Sequence, residues 1–427
     1  MILNKIGYGY NDLTIVPATK SKVKSRKDVN PFDINGNLPI FASPMACVVD
    51  DKNFKLWENN KIIPILPRNI DYDTRIDFLN RSKWVAFSLD EFYELFIDSD
   101  DMLNTSNKLY VLIDVANGHM HKLGDFCRIA KEKFGESLVL MCGNIANPDT
   151  YTLVCEAGVD YVRCSIGSGS CCTTSSNTAI HYPIATLIDD IYEIKREREK
   201  SGDFCTKIIA DGGIRNFNDI NKALALGADY VMIGGLFCTI LESSGHIIEG
   251  RNYIDHYSSK FTKEIEIIKE HIPNNVSLDD KIILKGSLTK NREMENIVLA
   301  KKTSGIEVIE VPSGDFYQFY YIIDNNNLDF PEILKRKIVD YNNMKKECYG
   351  MSTKRAQKLI KDTYDLKTAE GISKVVDVKY TMKQWVENME AYLRSAMSYC
   401  NSFNLNDFIG KQKLIINSPS EILGVNK

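Results

Sequence analysis

The segment Gly167-Ser168-Gly169-Ser170-Cys171-Cys172-Thr173-Thr174 gathers small residues, two thiols and several hydroxyls on one short stretch of chain. Glycine and serine let a backbone turn sharply and approach a ligand closely. A cysteine on such a loop, its thiolate stabilised by loop amides, can attack an electrophilic carbon. The same pattern also suits a turn that carries a buried thiol, and spacing alone leaves both readings open.

Two glycine pairs follow, Asp211-Gly212-Gly213 and Gly234-Gly235. Each closes a short apolar run, where backbone amides can point at an anion; elsewhere such pairs simply end strands. Asp211 carries an acceptor-only carboxylate that suits a ribose diol, or equally the cap of a following helix.

These loops need a scaffold, and the chain supplies repeated βα units. Strands are expected near Pro39–Ala42, Ile62–Leu66, Trp84–Phe87, Tyr110–Val115, Leu138–Cys142, Tyr161–Ser165, Ile208–Ala210 and Tyr230–Ile233. Helices are expected at Leu123–Phe134, Asp149–Ala157, Ala185–Lys200 and Asn218–Leu226, the last capped by its first Asn. Alternation of this kind makes a parallel sheet, and eight strands favour a TIM-type (β/α)8 barrel over an open sheet. In such a barrel the Cys172 loop follows strand six on the face where active sites lie. The glycine pairs follow strands seven and eight, the usual phosphate position.

Beyond residue 248 the pattern breaks. Dense charge, Pro273-Asn274-Asn275, Asn325-Asn326-Asn327 and strand-like runs at Ile282–Leu284 and Ile306–Val311 predict an inserted α+β subdomain. The expected division is barrel 1–248, insertion 249–347, then an active-site flap and closing helix in 348–427, the helix running from Thr381 to about Cys400. A segment that long is usually functional or a separate subdomain.

Composition narrows the class. Over 427 residues, 53 Lys+Arg face 57 Asp+Glu, which lacks the basic excess of a nucleic-acid binder. No stretch has the length and apolarity of a membrane span, and Met1–Tyr10 holds no signal-like apolar core, so a cytoplasmic soluble protein is expected. The 11 cysteines are an odd count without any Cys-x-x-Cys pair, and the 6 histidines show no ligand-like spacing. Free buried thiols are expected, and a structural zinc site is not.

Taken together, the run 167–174 resembles the catalytic-cysteine loop of the IMP dehydrogenase/GMP reductase family. Asp114-Val115-Ala116-Asn117-Gly118, Gly143-Asn144, Ile209–Arg215, Tyr349-Gly350-Met351-Ser352 and Leu393-Arg394-Ser395 also fall in that family's order. The resemblance covers roughly 5–248 and 348–415. It implies a barrel enzyme acting on a purine nucleoside monophosphate through a covalent adduct at Cys172, and commonly a homotetramer.

Within the family, the dehydrogenase branch hydrolyses its adduct with an Arg-Tyr pair on a long flap. Here the stretch Ser352–Glu370 is short, and Arg355 is followed by Ala356. Lys367-Thr368-Ala369-Glu370-Gly371 and Asp114–Gly118 resemble the reductase instead. The nucleotide-sensing module typical of the dehydrogenase is missing between the second and third strands.

The resemblance then implies NADPH-dependent reduction of GMP to IMP and ammonia, with Thr174 and Glu370 relaying a proton to the departing amine. It places substrate at Ser170, Asp211, Gly212, Gly213, Gly234, Gly235, Tyr349, Gly350, Met351, Ser352, Lys367 and Gly371. The cofactor would lie at Arg68, Ser88, Asp114, Ala116, Asn117 and Gly118, and potassium at carbonyls of Gly167, Gly169 and Cys172. The alternatives are oxidation of IMP to XMP with NAD, and a nucleotide-binding protein without activity.

The chain departs from the pattern at Ser168, Ser175, Lys367 and Ala369, and Ser88-Leu89-Asp90-Glu91 replaces the reductase's nicotinamide loop. Lysine cannot reproduce the guanidinium fork of an arginine. NADH therefore stays beside NADPH, and an acidic Asp90 or Glu91 would disfavour a 2′-phosphate.

Overall fold

The computed structural model describes residues 5–99, 107–249, 281–286, 306–313, 316–324, 345–360 and 370–418. After β1 (Leu13–Val16) come β2 (Ile40–Ala42), β3 (Ile63–Pro64), β4 (Trp84–Phe87), β5 (Leu109–Asp114), β6 (Leu138–Ile145), β7 (Tyr161–Cys164), β8 (Lys207–Asp211) and β9 (Tyr230–Ile233). The last eight pair in the order β3-β2-β9-β8-β7-β6-β5-β4.

The two edges of that sheet meet. Leu66, just past β3, bridges Val85 of β4 in parallel. Its amide donates to Trp84 O and its carbonyl accepts from the Ala86 amide, each at 2.9 Å. The eight strands expected from apolar runs therefore form one closed TIM-type barrel.

The barrel strands are largely buried on both faces, which is why most of their residues are apolar, Arg163 in β7 being the charged exception inside a strand. Leu112, Met141, Ile209 and Met232 point into the barrel. One end of the interior is filled by aromatic rings: Phe41 to Trp84 at 5.7 Å, Trp84 to Tyr161 at 5.4 Å, Tyr161 to Tyr230 at 5.8 Å. A plugged barrel is a core rather than a pore, so a ligand must bind at the opposite, C-terminal end of the strands.

Helices α1 (Phe54–Asn59), α2 (Tyr72–Asn80), α3 (Leu89–Phe92), α4 (His121–Phe134), α5 (Thr150–Glu156), α6 (Thr174–Thr178), α7 (Ile184–Ser201) and α8 (Phe217–Leu226) connect the strands. The cap of α8 is Asn216, whose side chain accepts from the Asp219 amide, rather than Asn218. The extended backbone of Asn216 before Phe217 gives it the cap geometry that Asn218, already one residue inside the helix, lacks.

After β9 the ring is completed by a helix at Met382–Tyr399, capped by Thr381 with Gln384 returning the bond. Trp385 of this helix packs on Phe237 at 4.7 Å and Phe217 at 5.3 Å. The chain's late segment β16 (Lys413–Ile416) pairs antiparallel with β1.

The chain divides into two compact units, one of Met1–Gly245, Glu347–Lys374 and Tyr380–Lys427, the other of His246–Lys346 with Val375–Lys379. In the second, β11 (Lys281–Gly286), β12 (Ile306–Ser313) and β13 (Phe316–Asp324) make an antiparallel sheet ordered β11-β13-β12. Two of these match the expected strand-like runs, and β13 was not anticipated. A further sheet joins β10 (Ile247–Glu249), β14 (Lys345–Tyr349) and β15 (Ser373–Asp377). The turn signals at 273–275 and 325–327 lie outside the described residues. Among the described residues no helix is long and apolar enough to cross a membrane.

Candidate active site

The loop after β7 returns on itself through its small residues. The Cys172 amide donates to Gly169 O at 3.0 Å, and the Gly213 amide donates to Ser168 O at 3.1 Å, which ties the loops after β7 and β8 together. Gly212 and Gly213 hold φ of +97° and +73°, the left-handed region where a side chain is strained. A Cβ on Gly235 would stand 2.1 Å from Ser170 Oγ, so the loop after β9 closes on this serine where any side chain would displace the hydroxyl. Ser170, Gly212, Gly213 and Gly235 thus surround one turn, and Ser168 Oγ is buried there without a hydrogen-bond partner.

Residues nearly two hundred positions away join the same turn. Cys172 and Gly371 form an antiparallel bridge, and the Thr173 amide donates to Glu370 O at 2.9 Å. Cys172 Sγ lies 3.3 Å from Thr174 Oγ1, which donates to Glu370 Oε2 at 2.7 Å. Thiol, hydroxyl and carboxylate stand in series, the order that carries a proton between a carboxyl group and something bound at the sulfur.

The neighbouring thiol does not compete for that position. Cys172 is half-buried, whereas Cys171 is buried with its Sγ 3.5 Å from Cys348 Sγ. Gly350 packs on Cys171, Gly371 packs against Ser352, and Met351 Sδ accepts from the Ala46 amide at 3.4 Å. Tyr349 is buried with its ring 5.1 Å from the Arg355 guanidinium, which pairs with Glu347 at 2.7 Å. A Cβ on Gly234 would meet Met45. Lys367 lies outside the described residues.

At the inner mouth of the barrel stands a cation that sequence reasoning missed. Arg163, pointing inward from β7, donates to Asp114 Oδ1 at 2.6 Å and to Asp211 Oδ2 at 2.9 Å. Asn144 Nδ2 donates to the same Asp211 oxygen at 2.7 Å, and Arg68 approaches Asp114 at 3.3 Å. Burial alone would raise the Asp114 pKa, but Arg163 and Arg68 outweigh it and hold the carboxyl below its ordinary value. Asp211 therefore has an internal partner as well as any ligand, and it does not cap α8. The available signal was a lone charge among inward-facing apolar residues, with acids ending two other strands.

Ala116 and Asn117 are exposed at the rim, and Gly118 is buried with its amide donating to Asn144 O at 2.7 Å. Ser88 caps α3: its Oγ accepts from the Glu91 amide at 3.2 Å, and Glu91 returns the bond. Glu91 is held at 2.6 Å by Arg75. Among the described residues no hydrogen bond joins Ser88 to the Cys172 turn. Gly167 O and Gly169 O each accept a hydrogen bond from within the loop, at 3.2 and 3.0 Å.

A closed parallel barrel with a thiol–hydroxyl–carboxylate series on its C-terminal loops has the architecture of a barrel enzyme. Residues 96–263 match the model of the IMP dehydrogenase / GMP reductase domain. The chain is 30% identical over 303 residues to a GMP reductase of Bacillus subtilis, covering 65% of this chain and 87% of that one. To a GMP reductase of Caenorhabditis elegans it is 28% identical over 284 residues, covering 61% and 73%. A shorter stretch of 145 residues is 41% identical to an inosine-5'-monophosphate dehydrogenase of Chlorobaculum parvum, covering 34% and 28%. The chain belongs to the IMP dehydrogenase/GMP reductase family of oxidoreductases.

Proposed function

We propose that this chain reduces GMP to IMP, releasing ammonia, through a covalent adduct at Cys172. The observation that carries the reading is the hydrogen-bonded series Cys172–Thr174–Glu370.

Cys172 Sγ attacks C2 of the purine. Glu370 relays a proton through Thr174 Oγ1 to the 2-amino group, which then departs as ammonia, since an unprotonated amine leaves poorly. A reduced nicotinamide supplies hydride to C2, and expulsion of the Cys172 thiolate releases IMP. Overall, GMP, NADPH and two protons give IMP, ammonium and NADP+.

Ser170, Gly213 and Gly235, with the unpartnered Ser168 Oγ beside them, hold the phosphate, and Asp211 accepts from the ribose hydroxyls. Tyr349 serves the phosphate, Met351 and Ser352 face the base, and Gly212, Gly234, Gly350 and Gly371 let the backbones close in. Exposed Ala116 and Asn117 and the Arg68 side chain fit a dinucleotide at the rim; the terminal nitrogens of Arg68 have no hydrogen-bond partner among the described residues. Arg75 engages Glu91, so this carboxylate carries its own counter-charge and is compatible with NADPH, with NADH beside it while Asp90 stays exposed. The carbonyls of Gly167 and Gly169 each keep a second lone pair, which fits potassium as a loop-stiffening ion. Free thiols throughout suit a cytoplasmic setting, and the family resemblance suggests a tetramer.

The 41% stretch shared with a dehydrogenase favours, as the second reading, oxidation of IMP to XMP. Incubation with GMP and NADPH, and separately with IMP and NAD, distinguishes them. Ammonia and IMP from the first mixture support the reductase; XMP from the second, with no ammonia from the first, overturns it.

A further inference from the structure

Beneath the Cys172 loop, thiols from four separate segments meet. Cys47 lies in the loop after β2, Cys238 in the short turn of helix after β9, Cys348 in β14, and Cys171 beside the proposed nucleophile. The sulfurs of Cys47, Cys238 and Cys348 all lie within 4.8 Å of one another, and all three residues are buried. Cys47 and Cys238 approach to 3.6 Å, and Cys348 and Cys171 to 3.5 Å. None is in a disulfide.

The chemistry of the donors selects the guest. Thiols without a carboxylate or imidazole among them suit soft, closed-shell ions and reject magnesium or calcium. With metal–sulfur bonds of about 2.3 Å, tetrahedral geometry sets ligand sulfurs about 3.8 Å apart. The spacing found here brackets that value, so an ion could be accepted with small side-chain rotations. Backbone of Tyr349 flanks Cys47 Sγ, its amide donating at 3.4 Å and its carbonyl accepting at 3.2 Å, so the thiol is held in place and turns from the carbonyl on losing its proton.

We propose that Cys47, Cys238 and Cys348 form a buried three-thiol site for a zinc-class thiophilic cation, with Cys171 next to Cys348 outside the set. Each ligating thiol gives its proton to solvent as the ion enters. The ion joins the loops after β2 and β9 to β14, one residue from Tyr349. Absence of any short-range cysteine motif follows from the construction, since the paired thiols stand 191 and 177 positions apart. The site stands independently of the proposed reaction.

The test uses the whole chain, purified under reducing conditions without a metal-affinity step and then exposed to zinc, or to cadmium as an optical probe. Elemental analysis after gel filtration should give about one zinc per chain, and cadmium should produce a thiolate charge-transfer band. Paired Cys47→Ser and Cys348→Ser substitutions should lower retention at least roughly tenfold, while Cys205→Ser should leave it unchanged. If the double variant does not fold, the cadmium titration of the unaltered chain decides alone. No retained metal and no band, with every thiol titrating in denaturant, means packed reduced thiols and overturns the proposal. A mass shift locating a Cys171–Cys348 disulfide overturns it as well.

Discussion

Arg163 bridges two carboxylates that end different barrel strands, Asp114 at 2.6 Å and Asp211 at 2.9 Å. All three side chains are largely shielded from water, with exposures of 9%, 15% and 13%. Replacing Arg163 with Met would leave two acids facing each other in a low-dielectric mouth. The expected cost is about 3–5 kcal/mol of unfolding free energy, measured by urea titration near neutral pH. Unchanged stability would remove the bridge from the account of the fold.

The same bridge sets an acid dependence. Because Arg163 and Arg68 depress the Asp114 pKa, its contribution is present above the ordinary carboxylate value and is lost as pH falls through the lower folded value. In the Arg163→Met variant the depression weakens, with Arg68 remaining. The stability gap between the two proteins should therefore hold from pH 7 to about 5 and narrow as pH falls below about 4, the ordinary carboxylate value. A gap independent of pH would show that Asp114 does not titrate with folding.

Glu370→Gln keeps the hydrogen bond from Thr174 but cannot supply a proton. GMP turnover should fall roughly 10²–10⁴-fold with nucleotide binding retained. Thr174→Val should cost a similar amount, and the double variant little more, because members of one relay are not additive. Full additivity would mean that hydroxyl and carboxylate act separately.

Of the eleven cysteines only Cys172 and Cys205 are not buried. Brief alkylation should modify these two first, and GMP should protect Cys172 while leaving Cys205 reactive. Equal protection of both, or of neither, would contradict a nucleotide seated at the Cys172 turn.

Gly235→Ala pushes a methyl group into the space of Ser170 Oγ, 2.1 Å away, and the hydroxyl can escape only by rotating off the turn. Loss of one hydrogen bond to a charged phosphate, about 1.5–3 kcal/mol, should raise KM roughly 10–100-fold with a smaller effect on kcat. A selective fall in kcat would move Ser170 away from the phosphate.

The sequence made the barrel legible because both-face burial makes the parallel strands mostly apolar, and the strand ends then placed the Cys172 and glycine loops. Arg163 stayed hidden for the converse reason: a lone charge inside a strand reads as a surface residue until the inward direction is known. β13 (Phe316–Asp324) mixes aromatic and polar residues without clean alternation, so periodicity did not mark it. The Cys47–Cys238–Cys348 cluster has no local spacing at all. The geometry joins Cys172, Thr174 and Glu370, the whole of the expected relay, in one hydrogen-bonded series, and Ser88, expected at the cofactor, caps α3.

The helix Met382–Tyr399 that covers Phe217 and Phe237 is encoded about 150 residues after the last barrel strand, which ends at Ile233. During synthesis all eight strands leave the ribosome well before their final cover exists. The nascent barrel must therefore wait with those rings bare, a window in which chaperone capture competes with self-association and in which a truncated message yields a sticky, unfinished product.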